Sequence, residues 1–281
     1  MSTEAAENAS ALPSVAVVGG GVMGGTLIAA MRVAGWPGAS VTVANRGAER
    51  REALVAAHGI NAAADAVDAV TGAGIVVLAV KPQQMGEVLA TIRDAVAPGA
   101  LVITVAAALP ASFYEERLPA GTPVVRAMPN TPSVVGRGAT SVSPGAHATE
   151  EHLALAERML RATGLVVRVP EDQIDAVIAV AGSAPAYFYA ITEALTEAGV
   201  MQGLDRDLAT LLAQQTFTGA AQLLAESGDT PQELRRRVSS PGGTTLAALE
   251  AMEHAGLQGV ISAGANAAVA RSKELGAQLA G

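Results

Sequence analysis

Over residues 13–170 the chain alternates between two patterns of apolar and polar positions. Short runs rich in β-branched residues, apolar at nearly every position, stand at Val15–Val18, Val41–Ala44, Ile75–Val80, Leu101–Val105, Val124–Arg126 and Val166–Val169. Alanine-rich segments with helical spacing lie between most of them: Met23–Ala34, Glu49–His58, Gln84–Val96 and Glu150–Thr163. A strand that is apolar throughout has both faces buried. Strands of that kind alternating with helices predict a parallel sheet covered on both sides. The expected fold class is therefore α/β, with a Rossmann-type doubly wound sheet.

After Pro170 the valine runs stop and helical patterns take over, at 171–181 and 185–198. Asp205 is placed to cap a helix reaching Ser227, with Gly228 as its stop. Thr230-Pro231-Gln232-Glu233 has capping-box spacing with proline at the first helical position. Helices over Gly242–His254 and Gln258–Leu279 complete the set. The expected division is a flexible tail over 1–12, a dinucleotide-binding domain over 13–170 and an all-helical domain over 171–281. The helical part is alanine-rich with few bulky anchors, and a second copy of the chain is the expected cover for its apolar face, giving a homodimer.

Composition narrows the function classes. Among 281 residues, 50% are hydrophobic and 16% charged, which excludes disorder over most of the length. A net charge of −8 argues against a nucleic-acid partner. With no cysteine there can be no disulfide, thiolate nucleophile or cysteine-ligated metal, and no other metal-ligand spacing is present. The uncharged stretches 11–31 and 176–192 are interrupted by glycines, or by Gly182, Ser183 and Pro185, so no membrane span is expected. Met1–Ala11 is acidic and lacks a basic leader pattern, and the expected location is cytoplasmic.

Val15–Val18 runs into Gly19-Gly20-Gly21-Val22-Met23-Gly24, a Gly-x-Gly-x-x-Gly pattern between a strand and a helix. Gly19 allows the tight turn, Gly21 lets backbone approach a pyrophosphate, and Gly24 lets helix and strand pack closely. The free N–H groups of the helix start then face the phosphates. The second strand ends at Asn45-Arg46, where an NAD site usually carries an acid for the ribose hydroxyls. A guanidinium there can pair with a 2′-phosphate, so the reading is NADPH, with NADH as the alternative. Ala79-Val80-Lys81-Pro82 ends another strand at the ligand-binding edge of the sheet. Lys81 there is either a cofactor contact or a solvated loop lysine.

Ser239-Ser240-Pro241-Gly242-Gly243-Thr244-Thr245 opens a helix after Arg235-Arg236-Arg237, which reads as a solvated helix face. Two readings of the loop stand: a carboxylate site built from amides and hydroxyls, or an ordinary capped turn. Asn130, in Met128-Pro129-Asn130-Thr131-Pro132, is a candidate contact near a nicotinamide, and Ser183 is the expected cap of the helix that follows it. None of His58, His147, His152 and His254 falls in a motif. Carbonyl reduction usually wants an acid, whereas a protonated imine carries its charge already and is neutralised by hydride.

Taken together these segments resemble the pyrroline-5-carboxylate reductase family, whose members catalyse the last step of proline biosynthesis. The resemblance runs nearly the whole length in order: Gly19–Gly24, Ala79–Pro82, Arg126–Pro132, Asp175-Ala176-Val177, Gly182–Tyr187 and Val238–Thr245. It implies reduction of 1-pyrroline-5-carboxylate to L-proline by NADPH or NADH. It places cofactor contacts at Val18, Gly19, Gly20, Gly21, Val22, Met23, Gly24, Asn45, Arg46, Ala79, Val80, Lys81, Pro82, Val105, Ala106 and Ala107. It places substrate contacts at Ser240, Gly242, Gly243, Thr244 and Thr245, with Thr245 toward the ring nitrogen and Glu171 as a wall of the site. It also implies interlocked helical dimers, often assembled into decamers, with active sites shared between subunits. Ala108 and Ala184 stand where the family commonly has glycine, two departures that read as mild, and Ala62–Asp68 lacks its cofactor-contacting asparagine. A β-hydroxyacid-dehydrogenase-like enzyme shares this plan but needs a lysine in the helical part, where Lys273 alone occurs. A nucleotide-binding protein without catalysis is the other alternative.

Overall fold

The structure, a computed structural model, describes residues 12–280. The expected tail, Leu12 apart, lies outside the described residues. The chain forms two compact units, one reaching Gly182 and including Ala268 onward, the other spanning Ser183–Ala267.

The first unit is built on an eight-stranded sheet: β1 (Val15–Val18), β2 (Val41–Ala44), β3 (Asn61–Ala63), β4 (Ile75–Leu78), β5 (Leu101–Thr104), β6 (Val124–Met128), β7 (Gly138–Pro144) and β8 (Gly164–Arg168), in the order β3-β2-β1-β4-β5-β6-β7-β8. Every pair is parallel except β6 with β7, which is antiparallel. The fully parallel expectation fails there because residues 129–137 are too few for a crossover, which takes a dozen or more.

The alternation along each strand sorts side chains into two cores. Val15 and Val17 join Leu27, Ile28, Met31 and Trp36 under α1 (Val22–Val33), with Leu153, Met159 and Leu160 of α6 (Glu150–Leu160). Ala16 and Val18 join Met85, Leu89 and Ile92 of α4 (Pro82–Ile92), together with Tyr114 of α5 (Ala111–Glu115). Leu54 of α2 (Ala48–His58) joins the first core, and Ala69 and Val70 of α3 (Ala66–Val70) join the second. The strand order reverses between β1 and β4, which opens a crevice at their carboxyl ends.

Residues 171–182 pass through a 3₁₀ turn, the short helix α7 (Ile174–Val177) and a π turn over Ile178–Gly182. The second unit holds α8 (Ala184–Met201), α9 (Arg206–Ser227), α10 (Pro231–Arg237) and α11 (Thr244–His254), and the start of α12 (Leu257–Ala280). Asp205 caps α9 through Asp207 N–H at 2.9 Å, Gly228 ends it at φ 72°, and Thr230 caps α10 through Glu233 N–H at 3.2 Å, all as the sequence predicts. Ser183 is an exception: its side chain makes no capping bond, because the π turn already carries the backbone into α8 in helical conformation.

Candidate functional site: a glycine turn, its cavity and a second helix start

The turn after β1 is fixed from several sides. Gly19 has φ 107°, and a Cβ there would stand 2.6 Å from the Ala79 carbonyl oxygen at the end of β4. A Cβ on Gly24 would stand 1.9 Å from Gly19 O, so the first turn of α1 lies directly on the strand end. At Gly21 a Cβ would meet nothing within 4 Å, which leaves that stretch of backbone open to a ligand. Gly19 N–H donates to Ala44 O at 2.9 Å and Gly20 N–H to Asn45 Oδ1 at 3.2 Å. The first helical bond of α1 runs from Gly25 N–H to Gly21 O, so the N–H groups of Val22, Met23 and Gly24 have no carbonyl to donate to within the helix.

Beside this turn lies a cavity of about 380 Å³, within the range of small-ligand sites. Val18, Gly19, Gly21, Asn45, Arg46, Ala79, Val80 and Lys81 line it, all foreseen from sequence. Gly20, Val22, Met23 and Gly24 continue the same turn. Pro82 is the first residue of α4, with Lys81 as its N-cap. The far wall comes from Ala64, Asp65 and Ala66, and from Gln84 and Glu87 of α4, which the sequence reading missed. The region 62–68 carries none of the expected chemistry, yet its backbone closes the cavity. Asp65 caps α3 there by accepting from Val67 N–H at 2.6 Å.

Val105, Ala106 and Ala107 follow β5, the next strand end along, outside this cavity. Thr104 Oγ1 is 2.7 Å from the Tyr114 hydroxyl, and burial pushes that phenol up to about 12. Glu171 Oε1 accepts from Ala111 N–H at 2.6 Å and from the buried Arg126 guanidinium at 3.3 Å. Its carboxylate thus ties the loop after β5 to β6. Asn130 is buried with both amide atoms engaged: Oδ1 accepts from Ala139 N–H at 2.9 Å and Nδ2 donates to Ala181 O at 3.0 Å. It holds the loop after β6 in place.

In the second unit, Ser240–Thr245 form one compact turn into α11. Gly242 has φ 70°, and Gly243 N–H donates to Ser240 O at 3.0 Å. A Cβ on Gly243 would stand 2.6 Å from Ser240 Oγ and 3.0 Å from Ser240 O, so a side chain there would displace that hydroxyl. Gly243 is the N-cap and makes no side-chain cap, which leaves the first amides of α11 with no side-chain acceptor. Ser240, Thr244 and Thr245 are exposed. Of the arginine run, Arg236 pairs with Glu233 at 2.7 Å and Arg237 with Asp229 at 2.5 Å on the surface, as a solvated helix face does. Arg236 holds the Glu233 carboxyl down to about 2. His152 is a partner in the α6 capping box with Thr149.

Residues 14–108 match the family described as NADP oxidoreductase, coenzyme F420-dependent, and residues 171–275 the family described as pyrroline-5-carboxylate reductase dimerisation. A curated protein of Corynebacterium melassecola, named pyrroline-5-carboxylate reductase, is 41% identical over 268 residues, covering 94% of this chain and 99% of its own. The chain belongs to the pyrroline-5-carboxylate reductase family. Its fold is similar to that of a pyrroline-5-carboxylate reductase from Coxiella burnetii, with TM-score 0.89 and 36% identity, covering 94% of this chain and 98% of the other. It is also similar to pyrroline carboxylate reductase of Plasmodium falciparum solved with NADP bound, with TM-score 0.82 and 25% identity, covering 95% and 99%.

Against the pyrroline-5-carboxylate reductase pattern, Ala184 is accommodated as the first residue of a helix. Ala108 is not the mild departure it reads as in the sequence. It has φ 72°, the sole positive φ outside glycine among the described residues. Leu109 N–H donates to Ala107 O at 3.0 Å, so Ala108 is the centre of a tight three-residue turn. An L side chain pays about 1–2 kcal/mol in this region, partly offset by a stiffer unfolded chain. Ala108→Gly is expected to stabilise the protein by about 0.5–1 kcal/mol, measured by urea unfolding. An unchanged or lowered midpoint contradicts this reading of the turn.

Proposed function

We propose that this chain reduces 1-pyrroline-5-carboxylate to L-proline with a reduced nicotinamide nucleotide. The observation that carries the reading is the presence of two separate anion-ready helix starts in one chain: α1 beside an open glycine turn, and α11 behind Ser240 and the Gly242-Gly243 pair. A dinucleotide fits the first, because Gly21 leaves space where a side chain would stand, and Arg46 and Lys81 supply positive charge at the cavity rim. The second suits a small carboxylate.

When bound, the nicotinamide supplies hydride to the C=N carbon. The residues of the chain supply position. The amides of Gly21 to Gly24 would hold the pyrophosphate, and Val105 to Ala107 would supply further nucleotide contacts, with Glu171 and Arg126 keeping that loop in shape. The Gly242 and Thr244 amides and Ser240 Oγ would grip the substrate carboxylate, while the Gly243 amide is spent on Ser240 O and shapes the turn. Thr245 Oγ1 would orient the ring nitrogen, donating to the neutral imine or accepting from the N–H of the protonated one, whose charge is neutralised when the ring carbon takes hydride. No acid stronger than a hydroxyl is required. Orientation of this kind accounts for much of enzymatic rate, and a displacement of about 1 Å costs on the order of 100-fold.

The nucleotide is proposed to be NADPH, from the neutral amide and guanidinium at Asn45-Arg46. Arg46→Ala is expected to raise KM for NADPH by about 10–100-fold, the loss of one to two charge-assisted hydrogen bonds, and to move KM for NADH by less than about twofold. Equal effects on both nucleotides contradict a 2′-phosphate role.

The proposed assembly is a homodimer through the helical unit, with the decamer as a further step. Within that unit only Ala184, Thr196, Ala209 and Ala213 are buried, while Tyr189, Leu195, Leu211 and Leu223 are each more than half exposed. A unit with so little core of its own needs a cover. The run Glu171–Met201 is long and apolar enough to cross a bilayer, but it opens the dimerisation segment, and a second copy accounts for its apolar face. The activity is tested by oxidation of NADPH and NADH against a panel of cyclic imines and 3-oxo acids, the oxidised partners of β-hydroxyacids. Turnover confined to the imines supports the reading, and turnover of the oxo acids alone refutes it.

A further inference from the structure

We propose that Arg50, which no part of the sequence reading assigned, is a positioning residue for the dinucleotide site, and that it acts on the glycine turn rather than on the nucleotide. The inference rests on the nucleotide-dependent reading above. Arg50 stands in the first turn of α2, with its Nε donating to Gly20 O at 2.6 Å and one Nη to Gly21 O at 3.4 Å. In a trans peptide the C=O and the following N–H point in opposite directions. A guanidinium that holds Gly20 O toward α2 therefore aims Gly21 N–H the other way, and holding Gly21 O does the same for Val22 N–H. Those are the first amides of the α1 anion site.

Three further hydrogen bonds belong to the same device. Arg51 donates from one Nη to Asn45 O at 2.5 Å and to Arg46 O at 2.9 Å, which sets the backbone from which the Arg46 side chain departs. Asn45 Oδ1 takes Gly20 N–H, so that amide is spent within the fold and Asn45 braces the turn from the other side. Gly25 explains itself on the same terms. A Cβ there would stand 2.9 Å from an Nη of Arg50, so glycine leaves room for the guanidinium to reach the turn. Without Arg50 the turn keeps its glycines and gains freedom to rotate its peptides, and that freedom is lost again each time a nucleotide binds.

The test is calorimetric titration of NADPH and of NADH into the full-length wild type, Arg50→Met and Arg50→Lys, with initial rates on the same proteins. Arg50→Met is expected to weaken both nucleotides by about 10-fold with their ratio unchanged within about twofold, and to appear in KM for nucleotide more than in kcat. Arg50→Lys, a single point donor, is expected to recover part of the loss. Unchanged affinity overturns the proposal. So does a loss confined to NADPH, which makes Arg50 a 2′-phosphate contact instead. If Arg50→Met fails to fold, Gly25→Ala keeps the arginine and displaces its guanidinium, and the same uniform loss is expected; wild-type affinity in that variant overturns the proposal. A wild type that binds neither nucleotide overturns the functional reading instead.

Discussion

Gly24→Ala is expected to abolish nucleotide binding, raising Kd for NADPH by at least about 100-fold and destabilising the fold by about 1–3 kcal/mol, as overpacking does. The added methyl would stand 1.9 Å from Gly19 O and 3.1 Å from Gly19 C, both backbone atoms. Gly19 cannot retreat, because it lies against Ala79 O on one side and its N–H is bonded to Ala44 O at 2.9 Å on the other. The turn has to open, and the α1 amides lose their aim. Gly21→Ala is the matched control, since its methyl meets nothing within 4 Å of the protein. It is expected to leave stability within about 0.5 kcal/mol and still weaken the nucleotide, because the space it fills is the ligand's. Titration of both variants with NADPH, with thermal midpoints alongside, separates packing from approach. Wild-type affinity in Gly24→Ala contradicts the assignment of this turn.

Thr245→Ala is expected to lower kcat/KM for 1-pyrroline-5-carboxylate by about 10–100-fold, the value of one hydrogen bond of ~1–3 kcal/mol made in the transition state. Its stability is expected to hold within about 0.5 kcal/mol, since Thr245 is exposed in the first turn of α11 and alanine is the better helix former. Thr245→Ser keeps the hydroxyl and is expected to keep most of the rate. Steady-state kinetics with the imine varied at saturating nucleotide measure this. Full turnover by Thr245→Ala removes the hydroxyl from the mechanism.

Most strands that could be read from sequence have both faces buried in aliphatic cores, such as Val15–Val18 and Ile75–Leu78, while β8 was legible from its valines alone although it is half-buried to exposed. Those that could not be read lack that signal for definite reasons. β3 is three residues, Asn61–Ala63, at an exposed edge. β7 is Gly-Ala-Thr-Ser-Val-Ser-Pro, and its Thr140, Ser141 and Ser143 are buried although polar, with Ser143 Oγ donating to Val169 O at 2.6 Å. The glycine turn and the α11 helix start were legible because their chemistry is local, within six or seven consecutive residues. The ties that shape the site are not local. Arg126 meets Glu171 across 45 positions, Asn130 reaches Ala181 across 51, and Arg50 reaches Gly20 across 30. No periodicity records such pairs; a basic cluster one turn after Arg46 was the one available hint of the last.

The central claim is that this protein moves hydride from a nicotinamide nucleotide to a cyclic imine acid, and the most direct measurement is a product balance. Purified protein is supplied with NADPH and 1-pyrroline-5-carboxylate, and nucleotide oxidised is compared with L-proline formed. The account predicts equal amounts of the two and no oxidation without the imine. Nucleotide that binds yet is not oxidised in the presence of the imine, or that is oxidised without proline appearing, contradicts it.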